Sequence, residues 1–172
     1  MSKVVVVNEK DEVIGSAEKT DAVKKGLIRR MSRIILYNDQ KRILLQQRSR
    51  NKNSHPLCWD FSAVGHVNEG ESYQDAAYRE LKEELGISNI KLEKVDYFFV
   101  SDKESREKLP KFSTVFTGKY LKGKITINTK EVERVRWFGM EEIETMLKNN
   151  PLQFTSSFSI TLKRLRKKLI NL

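Results

Sequence analysis

Apolar residues recur along this chain in two patterns, one typical of strands and one typical of helices. Runs rich in valine, isoleucine, phenylalanine and tyrosine, separated by short polar turns, predict β-strands. These runs are Val4–Val7, Glu12–Ile14, Arg30–Tyr37, Arg42–Gln47, Trp59–Val67, Ile90–Val100, Phe112–Tyr120, Lys124–Asn128 and Val132–Phe138. A polar turn at Asn8–Asp11 joins the first two runs, so we expect an N-terminal hairpin over residues 3–15.

The segment Tyr73–Leu85 predicts a helix. Ser72 can accept a hydrogen bond from its first turn, and Gly86 can adopt the left-handed conformation that ends a helix. The apolar residues spaced four apart, which would form a buried stripe, are Ala77, Leu81 and Leu85.

Two further helices are predicted towards the end of the chain. The first is a short helix at Glu141–Lys148, which Pro151 prevents from continuing. The second covers about residues 156–170. Its apolar residues at helical spacing are Phe158, Leu162, Leu165 and Leu169.

The remaining segments connect these elements. Thr20–Lys25 is predicted as a helical turn or a loop, and the polar stretches Arg48–Leu57 and Ser101–Lys111 are predicted as loops. Hairpins mixed with helices favour a single α/β or α+β layer domain with a mixed sheet over residues 1–172.

The composition favours a soluble globular protein. The chain has 172 residues, of which 38% are hydrophobic, which is enough for a core. No apolar run approaches the roughly 20 residues that a membrane span needs, and the N-terminus does not resemble a secretory signal. A single cysteine, Cys58, cannot form an internal disulfide, so we expect a cytoplasmic setting and no membrane partner.

The net charge favours either a polyanionic partner or no specific partner, and charge alone does not choose between them. The 33 Lys and Arg residues exceed the 23 Asp and Glu residues and give a net charge of +10, which suits phosphorylated metabolites or nucleic acid. The last predicted helix is especially basic, either as an RNA-docking face or as a solvated face, which is the preferred interpretation. Its basic residues are Lys163, Arg164, Arg166, Lys167 and Lys168.

Three carboxylates on the Tyr73–Leu85 helix are the first candidates for chemistry. Glu80, Glu83 and Glu84 are spaced i, i+3 and i+4, so they share one helix face. Each like-charged pair at such spacing costs about 0.2–0.5 kcal/mol unless it is neutralised. A hard divalent cation such as Mg²⁺ would neutralise them. The alternative is a solvated acidic face on which Arg79 pairs with Glu83.

These acids belong to a longer motif. Its residues, in order, are Gly65, Glu71, Arg79-Glu80-Leu81, Glu83-Glu84 and Gly86-Ile87. This spacing reproduces the whole Nudix box, and the sequence therefore resembles the Nudix hydrolase superfamily. The resemblance implies an α/β/α sandwich with a mixed sheet, in which the box forms a loop–helix–loop catalytic motif. It also implies hydrolysis of a diphosphate bond in a nucleoside diphosphate linked to another group.

The resemblance further implies roles for individual residues. Arg79 would orient the carboxylates, while Glu71 and Gly86 would support the loops. One carboxylate would accept the proton of the attacking water. The ligands implied for Mg²⁺, with Mn²⁺ as a substitute, are Gly65 through its carbonyl oxygen, Glu80, Glu83 and Glu84.

Family members often carry one more acid near the strand that leads to a tryptophan. Glu131 and Glu133 both precede Trp137, and either one would act as an extra ligand or as the base. A solvated strand start is the alternative for both. The implied catalytic set is Glu80, Glu83, Arg79 and Glu131.

Upstream residues resemble the subgroup that also contains isopentenyl diphosphate isomerase. Arg48 and Lys52 match positions that contact diphosphate in that isomerase, so they are implied to bind the substrate, although exposed loop cations are often only solvated. The segments that carry the resemblance are Asp11–Gly15, Leu27–Arg30, Gln47-Arg48, Lys52, Pro56 and Trp59.

The isomerase chemistry itself is not expected. Its catalytic cysteine would directly precede the box glycine, where this chain has Val64, and Ile28 replaces one of its metal-binding histidines. His66 matches another ligand position, but a lone histidine beside a turn is more often a hydrogen-bonding loop residue. Cys58 is displaced from the required place and is interpreted as a packing residue.

The sequence thus predicts Mg²⁺-dependent hydrolysis of a diphosphate bond in a nucleoside di- or triphosphate or a nucleoside-diphosphate-linked metabolite. The alternatives are an isomerase of isoprenoid diphosphates and an RNA 5′-end pyrophosphohydrolase or basic RNA-binding protein. Aromatic residues that would either stack on a base or pack in the core are Trp59, Phe61, Tyr97, Phe98 and Phe99.

Overall fold

The computed structural model describes residues 3–101 and 109–171, so most of the predicted loop Ser101–Lys111 lies outside the described residues. The elements are β1 (Val4–Val7), β2 (Val13–Ala17), α1 (Lys19–Lys24), β3 (Arg29–Tyr37), β4 (Ile43–Arg48), β5 (Trp59–Asp60), β6 (Ala63–His66), α2 (Tyr73–Leu85), β7 (Glu93–Val100), β8 (Lys111–Lys119), β9 (Val132–Phe138), α3 (Met140–Asn149) and α4 (Ser156–Ile170). A short 3₁₀ turn, Pro151–Gln153, connects α3 to α4. None of the helices in the described part of the chain is long and apolar enough to cross a membrane.

The strands form one mixed sheet around β3. This strand pairs antiparallel with β1, β4 and β6, and parallel with β8. Antiparallel pairs extend the sheet from β1 to β2, from β4 to β5 and β9, and from β8 to β7. The parallel register places Arg29 of β3 directly beside Lys111 of β8.

Helices cover both faces of the sheet because apolar side chains alternate along its central strands. Ile34 and Leu36 of β3 pack on the face that α2 covers with Ala77, Leu81 and Leu85. Ile35 packs on the opposite face, which α3 and α4 cover with Ile143, Phe158, Leu162, Leu165 and Leu169. The α/β/α sandwich with a mixed sheet is therefore confirmed.

The helix α2 has the bounds that the sequence predicts. Ser72 accepts a hydrogen bond from the amide of Asp75, whose carboxylate accepts one from the Ser72 amide in return. Gly86 ends the helix with φ 66°, and a Cβ there would lie 3.2 Å from atoms of Thr126.

The predicted strand Trp59–Val67 is wrong as a single element, because the chain changes strand partner within it. β5 pairs with β4, whereas β6 pairs with β3. At the crossing, the Ser62 hydroxyl accepts from the Leu36 amide at 2.8 Å and donates to the Leu44 carbonyl at 2.6 Å. The side chain of Ser62 thus replaces ladder hydrogen bonds between the two partner strands.

The predicted strand Lys124–Asn128 is also wrong, since its amides bond to the end of α2. Thr126 donates its N–H to the Leu85 carbonyl, and Asn128 donates to the Glu84 carbonyl, each at 2.9 Å. The segment therefore satisfies helix carbonyls that have no partner within the helix.

Candidate active site

A cavity of about 590 Å³ lies between α2, β6, the loop after β4 and the first turn of α4. Its size is typical of small-molecule sites, which range over about 300–1,000 Å³. Its acidic lining residues include Glu80, Glu83, Glu84 and Glu131. Its cationic lining residues are Lys19, Arg29, Arg33, Arg48, Lys52, Arg79 and Lys111. The cavity thus combines groups that suit a cation with groups that suit phosphate.

Glu84 is a buried carboxyl group, with 6% of the residue exposed. One of its oxygens accepts hydrogen bonds from the Gln46 side chain at 2.8 Å and from the Val64 amide at 3.2 Å. Burial, together with the negative charge of Glu80, raises the pKa of Glu84 to about 8. Without a cation, Glu84 is therefore mostly protonated at neutral pH.

Glu80 lies directly against the backbone of Gly65. A Cβ atom at position 65 would be 1.7 Å from Oε1 of Glu80, so a side chain there would displace the carboxylate. Burial raises the pKa of Glu80, although the adjacent positive charge of Arg79 opposes this rise. The glycine at position 65 is therefore required by the close approach of Glu80.

Arg79 connects the helix to the loop that precedes it. Its guanidinium donates to the Glu71 carboxylate at 2.6 Å and to the His66 carbonyl at 2.8 Å. It also donates to Glu80 at 2.7 Å and to Glu83 at 3.1 Å, and the Glu83 side chain is 55% exposed. Arg79 and Glu71 thereby fix the loop on α2 and hold Glu80 in one orientation.

The donor set fits a hard divalent cation that keeps open coordination positions. Glu80 lies close enough to Glu84 for its negative charge to raise the pKa of Glu84. Over residues 3–101 and 109–171, no three acidic, histidine or cysteine side chains converge as a ready-made metal group. Mg²⁺ commonly uses one or two carboxylates, completed by water and substrate phosphates. The structure thus brings Glu80 and Glu84 together, while Glu83 is the more exposed carboxylate and shares the Arg79 contact with Glu80.

Of the two acids before Trp137, only Glu131 lines the cavity in the described structure. Its carboxylate forms an ion pair with Lys52, and its carbonyl accepts from the Ser49 amide at 2.9 Å. Glu133 instead pairs with Arg50, whose side chain is 68% exposed. The structure places Glu131 with the other sequence-predicted site residues and Glu133 outside them.

The two predicted substrate-binding cations both line the cavity. The Lys52 side chain is 20% exposed, and Arg48 donates to the Ser54 carbonyl at 3.0 Å. Lys19 of α1, which sequence reasoning missed, joins them. Burial and the positive charge of Lys52 lower the pKa of Lys19. Three cations therefore lie on the carboxylate side of the cavity.

Sequence reasoning also missed Arg29, Arg33 and Lys111, which are 3%, 1% and 6% exposed. Burial lowers the pKa of His66 well below its ordinary value, and the positive charges of Lys19, Arg29, Lys111 and Arg33 lower it further. The sequence signal for the two arginines was their spacing of four residues, just before the apolar run of β3.

The other candidate residues lie elsewhere. Trp59, Phe61 and Phe98 are buried in the core, and Tyr97 and Phe99 are partly exposed. Among the described residues that line the cavity there is no phenylalanine, tyrosine or tryptophan. Cys58 is not among the lining residues, and its thiol donates to the Leu152 carbonyl at 3.4 Å. The described lining of the cavity therefore contains none of the five aromatic residues considered for stacking on a base.

The basic face of α4 lies away from the cavity and carries local pairs. Arg164 pairs with Asp96 at 3.0 Å, and Arg166 pairs with Glu144. Lys168 donates to the Val95 carbonyl at 2.6 Å. These contacts fit a solvated face opposite the apolar stripe.

Comparison with known proteins gives consistent matches. A sequence model of the NUDIX domain matches residues 28–158. Isopentenyl-diphosphate Delta-isomerase 2 from Photorhabdus laumondii is 31% identical over 169 residues, covering 98% of this chain and 90% of that protein. The uncharacterized Nudix hydrolase YfcD from Escherichia coli is 32% identical over 140 residues, which cover 81% of this chain and 75% of that protein. The crystal structure of DR0079 from Deinococcus radiodurans superposes with a TM-score of 0.73 at 25% identity, covering 86% and 90%.

Proposed function

The chain belongs to the NUDIX domain family, and on that premise we propose that it hydrolyses a diphosphate bond of a small phosphorylated metabolite with Mg²⁺ as cofactor. The substrate class is a nucleoside di- or triphosphate or a nucleoside-diphosphate-linked metabolite. The family match and the relatives named Nudix hydrolases support a pyrophosphohydrolase. The observation that carries the proposal is the pair of carboxylates formed by the buried Glu84 and the half-buried Glu80, in a cavity that cationic side chains also line.

Each residue has a definite task in the proposed reaction. A Mg²⁺ ion at Glu80 and Glu84, with the Gly65 carbonyl and Glu83 as further ligands, would neutralise phosphate charge and acidify a bound water. Arg79 keeps the Glu80 carboxylate in place through its own contact with Glu71. This support matters because misplacement of a ligand by about 1 Å can cost about a hundredfold in rate.

Glu131 is assigned as the base. It accepts a proton from the attacking water while the water oxygen bonds to phosphorus and the bond to the leaving phosphate oxygen breaks. Its ion pair with Lys52 weakens as the carboxylate is protonated. The ammonium of Lys52 is then available to the phosphate oxygens, together with the guanidinium of Arg48.

A substrate screen with matched variants tests the proposal. Nucleotides, nucleotide sugars and dinucleoside polyphosphates are incubated with Mg²⁺ or Mn²⁺, and released phosphate or pyrophosphate is measured. Glu80→Gln should lower kcat at least about a hundredfold, because it removes a ligand and not a packing group. Glu144→Gln, which removes a surface partner of Arg166, is the control. Near-normal turnover of Glu80→Gln at saturating Mg²⁺ would contradict the metal site.

The relative from Photorhabdus laumondii makes isomerisation of an isoprenoid diphosphate the second candidate. We expect the purified protein not to interconvert isopentenyl and dimethylallyl diphosphate, because the apolar side chain of Val64 cannot transfer a proton. Product analysis after incubation with each isomer tests this expectation. Isomerisation that survives Cys58→Ala would favour the isomerase.

A further inference from the structure

Gln46 is a polar side chain at a core position of β4, where the residue is only 2% exposed. Leu44 lies two residues earlier, on the same face of the strand, and packs in the core that α2 covers. Packing alone would favour another apolar residue at position 46, because burying an amide costs free energy unless it is hydrogen-bonded. The partner that this amide meets is Glu84, a proposed ligand of the metal ion.

Two hydrogen bonds converge on one oxygen of the Glu84 carboxylate. Nε2 of Gln46 donates to Oε2 of Glu84 at 2.8 Å, and the Val64 amide donates to the same oxygen at 3.2 Å. Gln46 reaches the carboxylate from β4, whereas Val64 reaches it from β6. Donors on two separate strands thus hold the carboxylate in one orientation and leave Oε1 as the oxygen for a ligand.

A carboxylate held in this way offers a cation one oxygen and not two. Mg²⁺ demands a near-ideal octahedron of oxygens and is commonly held by one or two carboxylates, and Mn²⁺ accepts the same geometry. Ca²⁺ takes a larger and more variable set of oxygens, and carboxylates often bind it through both of theirs. The occupied Oε2 of Glu84 therefore suits the smaller ions.

We propose that Gln46 is a positioning residue of the metal site, which reserves Oε1 of Glu84 as the single ligand oxygen and so favours Mg²⁺ or Mn²⁺ over Ca²⁺. The inference rests on the proposed function and deepens it, because it assigns the choice of metal to a residue that acts through Glu84. Gln46 is not among the described residues that line the cavity. Removing such a hydrogen-bond partner of a metal ligand typically costs about 10–100-fold in metal affinity.

The test measures binding of Mn²⁺ and of Ca²⁺, each alone, to the full chain by calorimetry without substrate. Gln46→Met removes the donor and nearly keeps the side-chain volume. It should weaken Mn²⁺ binding at least about tenfold and Ca²⁺ binding less, so the ratio of the two affinities should fall. Gln47→Met is the matched control, because Gln47 is the next residue of β4 and donates to the Leu57 carbonyl at 2.8 Å. Its affinity for Mn²⁺ should stay within about twofold of the wild type.

A role in folding alone predicts a different result. It would lower the free energy of unfolding of Gln46→Met in urea and leave the ratio of Mn²⁺ to Ca²⁺ affinity unchanged, and that result would overturn the proposal. Circular dichroism establishes that each variant is folded at the temperature of the titration. Should the methionine variant fail to fold, Gln46→Asn gives the same test, because it keeps a polar amide but withdraws it from Glu84 by one methylene group.

Failure of this inference is distinguishable from failure of the proposed function, because metal binding without substrate requires no turnover. Hydrolysis that Glu80→Gln abolishes would support the proposed function, and a wild-type affinity of Gln46→Met for Mn²⁺ would then overturn only the role of Gln46. Conversely, weaker Mn²⁺ binding by Gln46→Met would support the role of Gln46 even where the substrate screen detects no hydrolysis.

Discussion

Replacing Glu84 by glutamine should change both the pH dependence of stability and the response to Mg²⁺. Glutamine has nearly the same shape and can still accept the hydrogen bond that the Val64 amide now donates to Glu84. It carries no charge at any pH of interest. The variant therefore removes the titration of a buried carboxyl group without creating a cavity.

The expected magnitude follows from the raised pKa. The Glu84 pKa is about 8 in the folded protein, compared with an ordinary value of 4.5. Between these values the folded state holds a proton that the unfolded state releases, so the stability of the metal-free protein falls as the pH rises. The loss is up to about 4 kcal/mol between pH 5 and pH 9, and it levels off above the folded pKa. The glutamine variant should lack this loss and be the more stable protein at pH 9.

Urea unfolding in EDTA at pH 5, 7 and 9 measures the effect, with Glu144→Gln as a surface control. Added Mg²⁺ should stabilise the wild type at pH 8, because an ion that binds only the folded state shifts the equilibrium. Added Mg²⁺ should raise the free energy of unfolding of the glutamine variant only slightly. Parallel pH profiles for the two proteins would refute the protonated state of Glu84, and full stabilisation of the variant by Mg²⁺ would refute its role as a ligand.

Three further changes test the site and its surroundings. Gly65→Ala should reduce kcat/KM at least about tenfold, because the new Cβ displaces Glu80. The control Gly139→Ala should be nearly neutral in the same assay, because no atom lies within 4 Å of its new Cβ. Glu131→Gln should slow turnover at least about a hundredfold, and Glu133→Gln should not. Equal rates for these two variants in single-turnover measurements would contradict the choice of Glu131 as the base. Neutralising the basic face of α4 should leave mononucleotide hydrolysis within about twofold, whereas selective loss of activity on triphosphorylated RNA would make it an RNA-docking face. The α4 residues to replace together by glutamine are Lys163, Arg164, Lys167 and Lys168.

Local signals account for what the sequence predicted well. The helix α2 follows from a capping serine, an apolar stripe and the terminating Gly86, all within one short segment. The carboxylates at positions 80 and 84 share a helix face because they are four residues apart in that segment. Their unequal environments were not predictable, because Glu84 is buried by Gln46 and Val64 from two different strands.

The errors arise where distant segments decide the outcome. The residue pattern of Lys124–Asn128 is typical of a strand, but the amides of Thr126 and Asn128 bond to carbonyls at the end of α2. Glu131 and Glu133 are equivalent in the sequence, and only their partners Lys52 and Arg50 separate them. The proximity of Arg29 to Lys111 depends on the parallel pairing of β3 with β8, which joins segments about 80 residues apart.

The residues beside Glu84 bear directly on the choice between hydrolysis and isomerisation. Glu80, Glu84, Arg48 and Lys52 line one cavity, which suits the diphosphate that the substrates of both reactions carry. Val64, beside the buried Glu84, offers no proton to an alkene. Since one fold can host different reactions, the side chain at position 64 separates the two reactions where the fold and the diphosphate site do not.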